Sequence, residues 1–544
     1  MRATRLEYHG GRLTRCYADR PANVAAMLRA SFESAADRTA VVDVPRRVSY
    51  RELGARADTI AGNLARLGVK PGDRVALMSP NGLEAILSAI AIALLGAVVV
   101  PIGTRLKRAE IGFIFEDSEP VAILHAPEFT AELPSSGPVA HLRFAFGDER
   151  WQRLIAPQAD AEAVRPRIAE HDTFGILYTS GTTGRPKGAM LTHFNVVHSC
   201  LHWEDVHHLT REECTALCVP WSHVAGLCGV VLPFLALGGT LVTMAEFKRR
   251  EFLQLAQQER ITHALMVPAM YGLCLLEPDL TGFDLSTWRL GVYGSAPMPE
   301  TTIRRFAEAF PGLLMCNAYG ATETTSPATI MPPGDGVAHS DSIGKVVPCG
   351  DIRVMDDAGR ELPPGAEGEL WIGGPMIVPG YWRNPDANTA SFPAGYWKSG
   401  DIGAIDAQGY VRIADRKKDM VIRGGFKVYP AEVENVLTAL DGVIEAAVVG
   451  RPDELLGESV VAFVNVDRAL VAETVRAFCA ERMADYKVPG QVVIGRNPLP
   501  RNANGKIQKA ELRQTALRLP PPERPRIRDD AKPSFPTPIT RRPS

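Results

Sequence analysis

The sequence has no pairing pattern among its cysteines, no surplus of either charge and no uninterrupted apolar run of membrane-spanning length. Nine cysteines are scattered through 544 residues. An odd, dispersed set argues against a disulfide framework and for a reducing, cytoplasmic compartment. Lys and Arg number 60 against 62 Asp and Glu, a net charge of −2 with His neutral. That balance offers no global basic field to attract nucleic acid or an anionic membrane. Residues 1–20 mix charged and polar side chains and lack the apolar core of a signal peptide. Residues 85–100 are almost wholly apolar, but Gly96 interrupts the run and Pro101 ends it. They read as a buried helix over 83–95, a glycine turn and a buried strand over 97–100, with no integral membrane span. Internal repeats are also missing.

What is present fits a globular protein, with 46% hydrophobic and 22% charged residues. The length calls for two or more domains. Helix-period segments alternate with short β-branched runs, among them strands expected at 75–78, 240–243, 263–267, 290–293 and 313–317. Such alternation implies a large α/β body with mostly parallel sheet. Gly and Pro become dense over 362–410, where an antiparallel β subdomain is expected, and the charged segment 415–419 follows. The expected division is a large N-terminal domain, 1–414, whose β subdomain covers about 345–414, then a small α+β domain, 415–518. The Pro- and Arg-rich tail, 519–544, is expected to be disordered.

The strongest local signal is residues 178–188, Tyr-Thr-Ser-Gly-Thr-Thr-Gly-Arg-Pro-Lys-Gly, directly after an apolar strand. Gly181, Gly184 and Gly188 let the backbone turn tightly and approach an anion. Backbone N–H groups and the hydroxyls of Thr179, Ser180, Thr182 and Thr183 can donate to phosphate oxygens. Lys187 adds a compact positive charge. A Walker motif is excluded, because Pro186 stands where Gly precedes its Lys and Gly188 where Ser or Thr follows. A flexible surface loop would have the same composition, but the lysine and four hydroxyls after a buried strand favour phosphate binding.

This loop resembles the signature of the adenylate-forming superfamily, which includes acyl-CoA synthetases, aryl-CoA ligases, peptide-synthetase adenylation domains and luciferases. Further motifs resembling that superfamily follow in order, from about Ser49 to Lys509. The resemblance implies ATP, Mg²⁺ and coenzyme A as cofactors and a small-molecule carboxylic acid as substrate, in a monomer or homodimer. In Tyr319-Gly320-Ala321-Thr322-Glu323-Thr324 it implies Mg²⁺ on Glu323, the α-phosphate on Thr322 and adenine stacking on Tyr319. A carboxylate can accept from both ribose hydroxyls, and Asp401 matches that position, with Arg416 beside the ribose. Asp415 matches the hinge of a mobile C-terminal domain, and Gly424 and Gly425 the route of the pantetheine arm. Lys506, in a Gly/Asn turn, matches the lysine that bridges the attacking carboxylate and the α-phosphate.

His223, in Pro220-Trp221-Ser222-His223, matches the motif before the acyl pocket, although Trp221 is bulkier than the usual residue. The pocket is expected to draw on His223, Leu227, Gly294, Ser295, Gly320 and Ala321. Gly320 stands where acetate-specific relatives carry a Trp, so a longer apolar acyl or aryl tail is expected. The implied activity is an ATP-dependent acid–thiol ligase. An adenylation-only enzyme, a carrier-directed adenylation domain and a non-catalytic nucleotide sensor are the alternatives. His198, Cys200, His202, His207, His208, Cys214, Cys218 and His223 lie close in sequence, but their spacing matches no zinc pattern.

Overall fold

The computed structural model describes residues 2–9, 11–134, 141–157, 165–179, 186–417, 419–423, 426–453, 456–502 and 506–520. Most of the tail expected at 519–544 lies outside them.

Local sequence sets the first long helix, Tyr50–Arg66. Ser49 Oγ accepts from Glu52 N, and the Glu52 carboxylate accepts from Ser49 N, a reciprocal cap at the helix start. Leu53, Ala57, Ile60 and Leu64 repeat at helical spacing and are fully buried. Each of the larger ones contributes about 1.5–3 kcal/mol by leaving water. Gly68, at φ 95°, turns the chain after the last turn. The apolar run forms a helix, Leu83–Leu94, then a turn at Gly96 (φ 70°) and a strand, Val98–Pro101. Every residue of that helix except Glu84 is buried, which accounts for its hydropathy without a bilayer. Among the described residues no helix is long and apolar enough to cross a membrane.

The large N-terminal part carries two α/β sheets. In the six-stranded sheet Arg74–Met78 pairs in parallel with Val98–Pro101 and Ala122–His125, and Lys187–Thr192 closes one edge antiparallel to Thr173–Thr179. The nine-stranded sheet is parallel through Cys214–Leu217, His263–Met266, Leu290–Gly294 and Leu314–Tyr319. Both its ends turn antiparallel, at Thr329–Ile330 and at Arg46–Ser49. A parallel pair needs a crossover helix, whereas edge strands follow their neighbours by short turns. One core cluster runs beneath both sheets.

An antiparallel four-stranded sheet follows, built from Asp351–Met355, Gly368–Gly373, Trp397–Ile405 and Val411–Arg416. It begins ahead of the Gly/Pro-rich stretch, because Asp351–Met355 alternates exposed and buried side chains as a half-buried strand does. The small C-terminal part centres on Val443–Asp453 and Gly457–Val466, with Gln491–Gly495 added in parallel and a separate apolar cluster.

Candidate active site

The site lies where strand ends of both α/β sheets meet the four-stranded sheet and the small C-terminal part. The first phosphate-loop strand, Thr173–Thr179, pairs with Lys187–Thr192 so that Thr179 stands opposite Lys187. Ser180, Gly181, Thr182, Thr183 and Gly184 lie outside the described residues, as do Gly424 and Gly425. Lys187 Nζ sits 5.0 Å from the centre of the Tyr381 ring, within cation–π range. The Tyr381 hydroxyl donates to Glu323 Oε1 at 2.8 Å.

Glu323 is only 8% exposed, in the short turn Thr322–Thr324 after strand Leu314–Tyr319. Burial raises its pKa, opposed by the Tyr381 bond and by the charges of Arg416 and Lys187. A buried carboxylate with a hydroxyl on one oxygen suits a hard cation, whose charge would offset the cost of burial. The donor set therefore fits Mg²⁺ on Glu323. Thr322 is buried beside it.

A second polar chain runs from the same strand end. Tyr319 donates to Asp401 Oδ2 at 2.5 Å, and Arg416 Nε lies 3.0 Å from Asp401 Oδ1. Asp401 and Arg416 face each other across the paired strands Trp397–Ile405 and Val411–Arg416. Asp415 is buried, with Oδ1 accepting from Arg416 N at 2.6 Å and Oδ2 from Ala431 N at 2.8 Å. Its carboxylate thus caps helix Pro430–Thr438, the first helix of the small part. Burial raises the Asp415 pKa, and the positive charge of Lys509 opposes the rise.

His223 opens a short helical turn, Val224–Gly226, and its Nδ1 accepts from Ala225 N at 3.2 Å. The neutral ring then carries its proton on Nε2. Burial, and next the positive charge of Lys506, push the His223 pKa down to about 4. The Lys506 turn is held by reciprocal bonds, Lys506 N to Asn502 Oδ1 at 2.9 Å and Asn502 N to Lys506 O at 2.8 Å.

A pocket of about 360 Å³, mouth included, opens beside His223. Of the expected residues, His223, Gly294, Ser295 and Gly320 line it. Ala321 is absent from that wall, and Leu227 packs into the main core with no exposed surface. The sequence reading missed Trp203, Leu265, Ala318 and Ser326, which also line it. They come from separate strands, loops and a helix, so no motif spacing announces them. Gly294 has no room for a side chain: a Cβ there would lie 2.3 Å from Ala318 O. Trp221, bulkier than the usual residue of that motif, is not among the residues lining the pocket. Its Nε1 donates to Ser79 O at 2.8 Å and its backbone N to Asn81 Oδ1 at 2.8 Å.

Fold and site together define an adenylate-forming enzyme. The AMP-binding enzyme family matches residues 28–382 and the AMP-binding enzyme C-terminal domain matches residues 432–506, and the chain belongs to that family. It is 35% identical to the long-chain-fatty-acid–CoA ligase FadD13 of Mycobacterium tuberculosis (strain ATCC 25618 / H37Rv), over 86% of this chain and 93% of that one. It is 34% identical to a feruloyl-CoA synthase of Amycolatopsis sp, over 88% and 95%. The o-succinylbenzoate coenzyme A synthetase (MenE) of Bacillus subtilis, in complex with ATP and magnesium ion, superposes with a TM-score of 0.79. That match has 28% identity and covers 90% of this chain and 98% of the other.

Proposed function

We propose that the protein is an ATP-dependent acyl-CoA ligase that converts a carboxylic acid and ATP to acyl-AMP and pyrophosphate, then transfers the acyl group to CoA. The observation that carries this reading is the convergence of Lys187, Tyr381 and Glu323, the Tyr381 hydroxyl donating to Glu323 Oε1 at 2.8 Å and its ring lying 5.0 Å from Lys187 Nζ.

The carboxylate enters beside His223, which is neutral at pH 7 and offers Nε2–H rather than a base. Lys506 shares the negative charge that develops between the attacking carboxylate and the α-phosphate, and lowers the barrier there. Thr322 donates to the α-phosphate, and Lys187 with the loop hydroxyls holds the β- and γ-phosphates. Asp401 accepts from the ribose hydroxyls, with Arg416 fixing that carboxylate, and Tyr319 flanks adenine. Bound at Glu323, Mg²⁺ supplies charge neutralisation of the triphosphate. Rotation about Asp415 then withdraws Lys506 and brings the backbone near Gly424 and Gly425 to the pantetheine thiol.

The pocket walls at Val224, Leu265 and Ala318 favour medium or long fatty acids, or aryl acids, over acetate. A pyrophosphate-release screen over a carboxylic-acid panel, with and without CoA, tests this. Expected are higher kcat/KM for those acids than for acetate and CoA-dependent thioester formation. Release that CoA never converts to thioester points to an adenylation-only or carrier-directed enzyme, and ATP binding without release with any acid to a nucleotide sensor.

A further inference from the structure

Away from the acyl pocket, an N-terminal hairpin meets the segment ahead of the first phosphate-loop strand through two histidines. The hairpin pairs Thr4–His9 with Arg12–Tyr17. Near its turn, His9 Nδ1 lies 3.0 Å from Nε2 of His171, just before strand Thr173–Thr179. The two rings meet edge to face, with 5.0 Å between their centres. Both rest against Phe194, 4.5 and 5.1 Å from its ring centre, and this shared contact fixes their directions. Glu170 brings a carboxylate to the same point, with Oε1 3.7 Å from His171 Nε2. His9, Glu170 and His171 thus offer three ligand atoms that all lie within 4.8 Å of one another. None of these residues lines the acyl pocket.

Hydrogen bonding decides which nitrogen of His9 is bare. Glu7 Oε2, a carboxylate oxygen, accepts from His9 Nε2 at 3.0 Å. In the neutral ring Nε2 therefore carries the proton, and Nδ1 presents a lone pair towards His171. Glu7 is itself saturated. Its Oε1 accepts from Arg5 and Arg20, each at 2.7 Å, and its Oε2 also accepts from Arg20 at 2.9 Å. Glu7 thus orients the imidazole and offers no ligand atom of its own, the place carboxylates take behind metal-bound histidines. Arg20 also donates to Glu170 Oε2 at 2.9 Å, which leaves Oε1 as the oxygen nearer His171. The positive charge of Arg20 is matched by these two carboxylates. Cys16 Sγ comes near Glu7 and His9 as well, but it is fully buried and donates to Thr14 O at 3.5 Å.

We propose that His9 Nδ1, His171 Nε2 and a Glu170 oxygen form a binding site for a divalent transition metal of the zinc class, with water in a fourth position. Two imidazoles and a carboxylate are a donor set that zinc takes. Zinc with imidazoles at about 2.0–2.1 Å in tetrahedral geometry holds their nitrogens about 3.3 Å apart, so the 3.0 Å separation needs only a small opening. Without the ion, the proton on His171 Nε2 bridges the pair. Binding shifts that proton to Nδ1 of the half-exposed His171 ring and leaves a lone pair on each facing nitrogen. Mg²⁺, which prefers oxygen ligands, does not compete for such a set. The bound ion clips the N-terminal hairpin to the segment that leads into the phosphate loop.

Calorimetric titration of the untagged full chain with Zn²⁺, in buffer containing Mg²⁺ and no nucleotide, tests the site. Expected is a single saturable equivalent with a micromolar or tighter Kd. E7Q, which loses only the orienting carboxylate, should weaken binding about 10–100-fold, and H9Q or H171Q by more. Zn²⁺ should raise the thermal midpoint of the wild type and leave that of H171Q unmoved. The His171 side chain is half exposed, so H171Q tests the ligand without disturbing the core. Co²⁺ in place of Zn²⁺ should give the wild type the visible absorption of a four-coordinate nitrogen-ligated ion, a reading that needs no variant to fold. Binding that is only millimolar, a Co²⁺ spectrum of the hydrated ion, or equal Zn²⁺ affinity in the wild type, H9Q and H171Q would overturn the assignment.

Discussion

Tyr381 ties two charged groups together at the site. Its hydroxyl holds a Glu323 oxygen and its ring lies by the Lys187 ammonium, so one phenol links the groups proposed to bind metal and triphosphate. Tyr381→Phe removes a bond that favours the charged carboxylate, so the Glu323 pKa rises further and its hold on a cation weakens. In ATP–pyrophosphate exchange the variant should need severalfold more Mg²⁺, with kcat reduced about tenfold at saturation. An unchanged Mg²⁺ titration would separate Tyr381 from Glu323. At this scale the sequence was uneven. Lys187, Glu323 and Asp401 are charged residues in Gly- and Thr-rich turns, and their chemistry is visible there. Tyr381 is an aromatic residue close to apolar neighbours, which reads as core, and only its bond to Glu323 marks it.

Helix His193–His207 shows what the sequence gives at the scale of an element. Its histidines look scattered in sequence, yet His193, His198, His202 and His207 are all fully buried. Burial pushes His193 and His198 down to about 4, His207 to about 3, and His202 well below its usual 6.5. The unfolded chain therefore binds more protons than the native state between about pH 6.5 and 4, so stability present above 6.5 is lost as pH falls through that window. Urea unfolding monitored by circular dichroism should show a midpoint that drops steadily from pH 7 to pH 4.5. His202→Leu should reduce the pH dependence by about one proton. A midpoint flat over this range would contradict the burial of these rings in the native state. Helix limits were easier to read than side-chain facing. The apolar run resolved into helix, glycine turn and strand within a residue of expectation, because Gly96 and Pro101 punctuate it. The facing of a helix that is apolar and polar all round depends on partners that its own sequence does not name.

Across the whole molecule, the order of motifs is legible but their convergence is not. Asp415 links the last strand of the four-stranded sheet to the helix that starts the small part, and Tyr429 reaches back to Glu367 at 2.9 Å. These contacts join the small part to the four-stranded sheet, a meeting that no local periodicity encodes. The account requires Lys506 to serve adenylation alone, with the small part turned away for thioester formation. Lys506→Ala, assayed separately for acyl-AMP formation and for CoA attack on supplied acyl-AMP, tests this most directly. Adenylation is predicted to slow by roughly 10²–10³-fold while thioester formation is largely spared; an equal loss in both half-reactions would contradict the account.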